Sequence, residues 1–168
     1  PASINTARIG GIFANNSGGM CCGTVDNSYH TLDSVRLILT DGTILDTANP
    51  ESIIKFRQSH RSLLDKISAL SERIRANPEL EAKVRRKYRI KNTTGYGINA
   101  LIDYTDPVEM LTHLMVGSEG TLGFVSEVTF RTVPDHEHKA SALVFFNNLD
   151  TCCLTVTALK KAGNASAV

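Results

Sequence analysis

The spacing of apolar residues changes several times along the chain, and each change marks an element. Residues 34–40, Ser-Val-Arg-Leu-Ile-Leu-Thr, form an apolar run rich in strand formers. Asp41-Gly42 predicts a two-residue hairpin turn, and residues 43–46 the returning strand. From residue 50 to about residue 86 the period lengthens. Ile53, Ile54 and Phe56, then Leu63, Leu64, Ile67, Leu70 and Ile74, recur at three- and four-residue spacing among many charges, which predicts helix. Asn77-Pro78 interrupts it, with Asn77 as a cap and Pro78 at the first position of a second helix. Residues 106–114 predict a short helix with Pro107 in its first turn, and residues 123–133 a strand that Pro134 stops. A polar connector at 135–138 then leads to a predicted strand over 140–146 and an apolar helix from about 149 to 161.

Glycines interrupt this pattern where chemistry can sit. The stretch Gly117-Ser118-Glu119-Gly120-Thr121-Leu122-Gly123 puts three glycines in seven residues before a strand, with short hydroxyls and backbone N–H groups in a tight turn. A second cluster, Gly10-Gly11 through Asn16-Ser17-Gly18-Gly19 to Gly23, holds five glycines in fourteen residues with little charge, and reads as a loop able to surround an elongated polar ligand. Between them Lys91-Asn92-Thr93-Thr94-Gly95-Tyr96 adds hydrogen-bonding groups, a fixed cation and an aromatic ring. Either cluster alone is also compatible with a turn that merely enters a buried strand.

In this order and spacing, the Gly10-Gly11, Asn16-to-Gly19, Gly23-Thr24-Val25, Lys91-to-Tyr96 and Gly117-to-Gly123 motifs, spread over about residues 4–146, resemble the FAD-linked oxidases of the vanillyl-alcohol oxidase type. Within that superfamily they are most similar to the D-lactate and D-2-hydroxyglutarate dehydrogenase branch, especially its large bacterial members fused to an iron–sulfur domain. The resemblance implies an α+β fold. It implies that 1–134 is the second part of a PCMH-type FAD-binding domain, with a helical insertion at about 50–86, and that 135–168 begins a substrate-binding domain. It implies FAD as cofactor, held by Gly10, Gly11, Asn16, Ser17, Gly18, Gly19 and Gly23 near the middle of the cofactor and the flavin edge. Gly117, Glu119, Gly120, Gly123 and Val125 are expected on the adenosine and pyrophosphate side, with Lys91, Asn92 and Tyr96 in the substrate or flavin vicinity. The implied reaction is oxidation of a small 2-hydroxy acid by hydride transfer to flavin.

Where the chain departs from the family pattern, Arg8-Ile9 replaces a small hydroxylated residue before Gly10-Gly11, and Cys22 replaces a frequent aromatic. The first FAD subdomain is expected before Pro1, the histidine-bearing metal and substrate motifs and the iron–sulfur cysteines after Val168, and the catalytic residues outside these 168 residues. The chain alone is therefore expected not to turn over and to hold FAD weakly or not at all. A non-catalytic nucleotide- or phosphate-binding module, or a sugar-derivative or aryl-alcohol oxidase on the same scaffold, stay open as alternatives.

Composition narrows the classes further. The 168 residues suit one domain, 42% hydrophobic content suffices for a core, and a net charge of +1 gives no reason to expect nucleic acid. No apolar run reaches the roughly 18 residues of a membrane span, so the expected location is cytoplasmic or peripheral to the inner membrane. The adjacent pairs Cys21-Cys22 and Cys152-Cys153 match no metal framework and read as free thiols, the second pair as buried small hydrophobes. His136 and His138 lack a third donor, so no metal site is assigned. The basic run 83–89 reads either as a solvated helix end or as a contact for an acidic partner or substrate tail.

Overall fold

The computed structural model describes residues 5–19, 22–134, 137–163 and 165. The chain opens with α1 (Ile9–Asn15) and the single turn α2 (Ser28–Thr31), followed by β1 (Leu32–Ile38) and β2 (Ile44–Asp46). Three helices come next, α3 (Pro50–Ser59), α4 (Arg61–Arg75) and α5 (Pro78–Lys87), then α6 (Ala100–Asp103), α7 (Pro107–Met115), β3 (Phe124–Phe130) and α8 (Leu149–Ala162). The sheet is antiparallel in the order β2-β1-β3, with Leu37 opposite both Leu45 and Val125. An α+β arrangement follows, with the helices leaving the sheet after β2 and returning at β3.

The core explains the order. Along β1 the buried residues Val35 and Leu37 alternate with exposed Arg36, so one sheet face is apolar. Phe13 of α1, Leu45 of β2, Phe56 of α3, and Met115 and Val116 at the end of α7 are almost fully buried and pack into one cluster with it. Capping fixes the helix starts. Asn49, Asn77 and Asp106 each accept backbone N–H bonds with their side chains, and each precedes a proline in the first turn.

Several expectations need correction. The predicted two-residue turn is longer: Leu39 N–H bonds the Thr43 carbonyl, Gly42 N–H bonds the Leu39 carbonyl, and Gly42 sits at φ +83. That is a type I turn closed by a left-handed glycine. The helical stretch over 50–86 breaks at His60 as well as at Asn77. The His60 ring stacks on Phe56 at 4.5 Å and reaches Asp41 in the hairpin turn at 2.9 Å, so the second kink anchors the helices to the sheet. The strand after the glycine turn ends at Phe130, short of Pro134. Residues 140–146 have an irregular backbone with no ladder partner among the described residues, because an apolar run makes no strand without a neighbouring backbone to bond. In α8 no residue is buried, Cys153 is exposed and Cys152 half-buried, so the cysteines are not core residues.

A buried aromatic cluster braces α7. Tyr104 stacks on His113 at 4.0 Å, Tyr29 meets His113 edge-on, and the Tyr29 hydroxyl donates to Asp103 at 2.9 Å. Burial lowers the pKa of His113 below the ordinary 6.5 and, with the Asp103 carboxylate beside it, raises that of Tyr29.

Two predictions follow from these contacts. The folded state disfavours protonated His113, so it binds fewer protons than the unfolded chain. Stability should be fully present above pH 6.5 and decline as pH falls below it. Denaturant melts across that range should show the slope, and His113→Leu should flatten it. At the start of α7, Asp106 accepts from Val108 N–H at 3.1 Å and from Arg57 at 2.6 Å. Asp106→Ala should cost about 1–2 kcal/mol in thermal melts, whereas Asp106→Asn, which keeps the capping oxygen, should lose only the exposed ion pair, up to ~1 kcal/mol.

Candidate functional site

The three glycine- and amide-rich segments, far apart in sequence, meet at the carboxyl end of α1. This short helix was expected to be a loop. Ile9, Ile12 and Phe13 follow helical spacing, Phe13 is buried, and Asn16 closes the helix in the left-handed conformation at φ 54. Helix carbonyls in the last turn have no partner within the helix. Here the turn at 117–121 supplies it: Gly117 N–H donates to the Phe13 carbonyl at 3.1 Å, and Glu119 N–H to the Ala14 carbonyl at 2.9 Å. The Asn15 amide then donates to the Glu119 carboxylate at 2.6 Å, while Ser17 donates to the Asn15 side-chain oxygen at 2.8 Å.

The third segment ties the other two together. Lys91 Nζ donates to the Gly18 carbonyl and, at 3.4 Å, to that of Gly19. Asn16 Nδ2 donates to the Asn92 carbonyl at 3.4 Å, and Tyr96 shares a hydrogen bond of 2.9 Å with Thr121. Tyr88 underpins this loop: its hydroxyl donates to the Tyr96 carbonyl at 2.7 Å and accepts from Ile98 N–H, and burial raises its pKa. Asn15 and Tyr88 are therefore part of the assembly although the sequence reading did not single them out. The Glu119 partner of Asn15 is remote in sequence, and Tyr88 bonds only backbone groups of its loop, so no local spacing announces either.

The glycines differ in why they are glycine. A side chain at Gly123 would sit 3.1 Å from the Ile38 carbonyl oxygen and 3.2 Å from Met115, so the close approach of β1 accounts for it. Gly120 holds φ +76 in the turn, which accounts for it without any ligand. Gly18 is hemmed in by Cys22 and Lys91. Gly10 and Gly11 are different: they lie inside α1, exposed, and a Cβ on either meets nothing within 4 Å. Glycine inside a helix costs roughly 0.5–1 kcal/mol relative to alanine. Nothing among the described residues repays that cost, so the bare surface suits the close approach of a group from outside the chain. This is the feature that an elongated cofactor such as FAD fits.

Val125 sits apart from this junction, on β3 and half-buried against the core, while Ser118 is buried within the 117–121 turn. Among the described residues no His, Cys, Asp and Glu side chains cluster as a metal site, and no helix is long and apolar enough to cross a membrane. His136 and Cys21 lie outside the described residues, and His138 is exposed.

The Tyr96–Thr121 bond is the side-chain link between the third segment and the glycine turn. Tyr96→Phe should leave the sheet intact and destabilise the fold by no more than about 1 kcal/mol, while amide exchange at 117–121 quickens relative to β1. Unchanged exchange at 117–121 would show that the backbone bonds to α1 hold the turn alone.

Comparison with known proteins bears on the first of the three segments. Residues 1–48, which hold the first glycine cluster and the hairpin, match the FAD binding domain family. A stretch of 59 residues is 36% identical to a D-lactate dehydrogenase of Anaerostipes hadrus, covering 35% of this chain and 12% of that protein. A stretch of 47 residues is 47% identical to the glycolate oxidase subunit GlcD of Bacillus subtilis (strain 168), covering 28% of this chain and 10% of that protein. The chain thus matches about a tenth of the length of these curated relatives. No solved structure matches it. The amino-terminal glycine cluster lies inside the matched span, so that part of the chain is similar to FAD binding domains.

Proposed function

We propose that the protein carrying this chain is an FAD-dependent dehydrogenase that oxidises a D-2-hydroxy acid, D-lactate or D-2-hydroxyglutarate, to the 2-oxo acid. The observation that carries the reading is the pair Gly10 and Gly11, bare and exposed in a helix that gains nothing from them within the chain. When bound, FAD supplies the acceptor for the hydride leaving the hydroxyl-bearing carbon. The chain's own part is to hold the cofactor's surroundings still. Lys91 fixes the Gly18 and Gly19 carbonyls, Asn15 fixes Glu119, and the Tyr96–Thr121 bond fixes the turn containing Gly120. The base that takes the hydroxyl proton is assigned to no residue of 1–168.

In this reading 1–134 contributes to the FAD-binding domain and 135–168 begins the substrate-binding domain. The second assignment is supported by apolar exposure: Leu143 and Phe145 are 82% and 85% exposed, and α8 shows Leu149 and Leu154 to solvent. Large apolar side chains left this exposed suit a segment that a further structural unit covers.

Gly11→Ala separates cofactor approach from local folding. Within the chain the added methyl has open space, so the flavin-free protein should melt at a higher temperature, stabilised by up to about 1 kcal/mol. Flavin per protein, read from absorbance of the full-length protein, should nevertheless fall well below that of the parent. Full flavin occupancy in Gly11→Ala would remove the observation on which the reading stands. Oxidation assays of the full-length holoprotein should show turnover of D-lactate or D-2-hydroxyglutarate in preference to the L-acids. Preference for glycolate, the acid in the name of the Bacillus relative, or for none of these would overturn the substrate class while leaving the cofactor assignment standing.

A further inference from the structure

We infer that the basic end of α5 is the docking surface for an acidic electron-carrier protein that takes electrons from the flavin, an inference that rests on the flavin reading above. Between Glu81 and Asp103 the chain holds six Lys and Arg and no acid, while its net charge is only +1, so the remaining residues are together net negative. Lys83, Arg86, Lys87 and Arg89 are exposed, and among the described residues none of them pairs with a carboxylate. Within the run only Arg85 does, with Glu81 at 2.7 Å, and Lys87 lies 6.0 Å over the Tyr88 ring.

The dipole of a helix end accounts for cations in its last turn. It does not account for Lys83, placed three and four residues before Arg86 and Lys87, where like charges share a face and repel. A fold that bears this repulsion without an internal acid to relieve it presents a positive field to solvent. The field lies beside the candidate site. Tyr88 and Ile90, interleaved with the cations, line the small cavity at the junction together with Asn16, Asn99 and Gly117. Lys91, the next cation along, holds the Gly18 and Gly19 carbonyls.

None of the four exposed cations lines that cavity, so they do not gather around a small anion, whose site needs donors converging in a concavity. Spread along a helix and the turn after it, they match an extended acidic surface. A bilayer fits less well. Val84 is buried, Leu80 lies in the first turn between Glu79 and Glu81, and Ile90 is the one exposed apolar side chain at the basic end, too little to insert. The flavin chemistry supplies the reason for a protein partner. Two molecules of a one-electron carrier take one electron each from the reduced flavin, its two transferred hydrogens leave as protons to water, and oxidised flavin is restored for the next hydride. Complexes of this kind are small, short-lived and steered by charge.

The test uses the full-length holoprotein, reduced anaerobically with stoichiometric dithionite, and plastocyanin, an acidic one-electron carrier, as the probe. At low ionic strength the triple variant Lys83→Glu, Arg86→Glu, Lys87→Glu should reduce plastocyanin roughly tenfold or more slowly than the parent. Its binding to immobilised plastocyanin should weaken by a similar factor, and both differences should shrink at high salt. Reduction of duroquinone, a small neutral acceptor, should be unchanged, and the Lys83→Gln, Arg86→Gln, Lys87→Gln variant should fall between the two. Unaltered plastocyanin binding, or equal slowing with duroquinone, would overturn the inference. So would loss of binding to phosphatidylglycerol vesicles or to duplex DNA with plastocyanin reduction unaffected, which would make the surface one for lipid or nucleic acid. If the charge-reversed variant does not fold, the parent decides: a rate with plastocyanin that is insensitive to salt overturns the inference. A parent that holds no flavin removes the flavin reading and this inference together, whereas normal duroquinone reduction with salt-insensitive plastocyanin reduction removes this inference alone.

Discussion

Two backbone hydrogen bonds hold the site together: Gly117 N–H to the Phe13 carbonyl and Glu119 N–H to the Ala14 carbonyl. They join a helix at the beginning of the chain to a turn more than a hundred residues later. A helix end needs partners for its last carbonyls, and a tight turn needs partners for its N–H groups. Each is the other's solution. The geometry is demanding because both Asn16 and Glu119 adopt left-handed backbone at φ 54, a conformation that non-glycine residues hold only when the surroundings require it. Side-chain bonds from Asn15, Lys91 and Tyr96 then elaborate a junction that the backbone has already set.

The helices between β2 and β3 deliver the third segment to that junction. Ser71 donates to the Leu101 carbonyl at 2.5 Å, and Arg75 donates to the carbonyls of Ile102 and Tyr104 at 2.9 Å each. These bonds tie α4 to α6 and to the aromatic cluster under α7. From the same platform the 88–99 segment swings across to both glycine clusters. The helical excursion is thus part of how the site is built as well as an insertion in the sheet.

Much of this was legible from the residues. The hairpin strands, the cap at Asn77, Pro107 in the first turn of α7, the strand after the glycine turn and the helix α8 rest on local rules of spacing and capping, and they appear close to where those rules place them. Three features escaped because their causes are not local. Gly10 and Gly11 argued against a helix, yet buried Phe13 and the left-handed Asn16 outweighed them. The break at His60 follows from its contact with Asp41 across the hairpin, which no reading of 50–60 could contain. Residues 140–146 have the apolar run of a buried strand but no neighbour to pair with among the described residues. In the site, the glycine clusters, Asn16 and Asn92 stood out, whereas Asn99 did not, since a buried amide has no periodicity.

The sheet order also carries a consequence for how the chain reaches this fold. β1 pairs with β2 across a short turn but with β3 only after the whole helical excursion, with Val35 opposite Val128. Closing so long a loop must be met by entropy before any ladder bond forms, whereas the β1–β2 hairpin and the α3–α5 helices have mainly local contacts. The order of assembly therefore runs from hairpin and helices toward the β1–β3 ladder. The junction of the three segments, which needs the turn just before β3, belongs to the last step, so a nascent chain carries no formed site until its polypeptide beyond residue 130 has emerged.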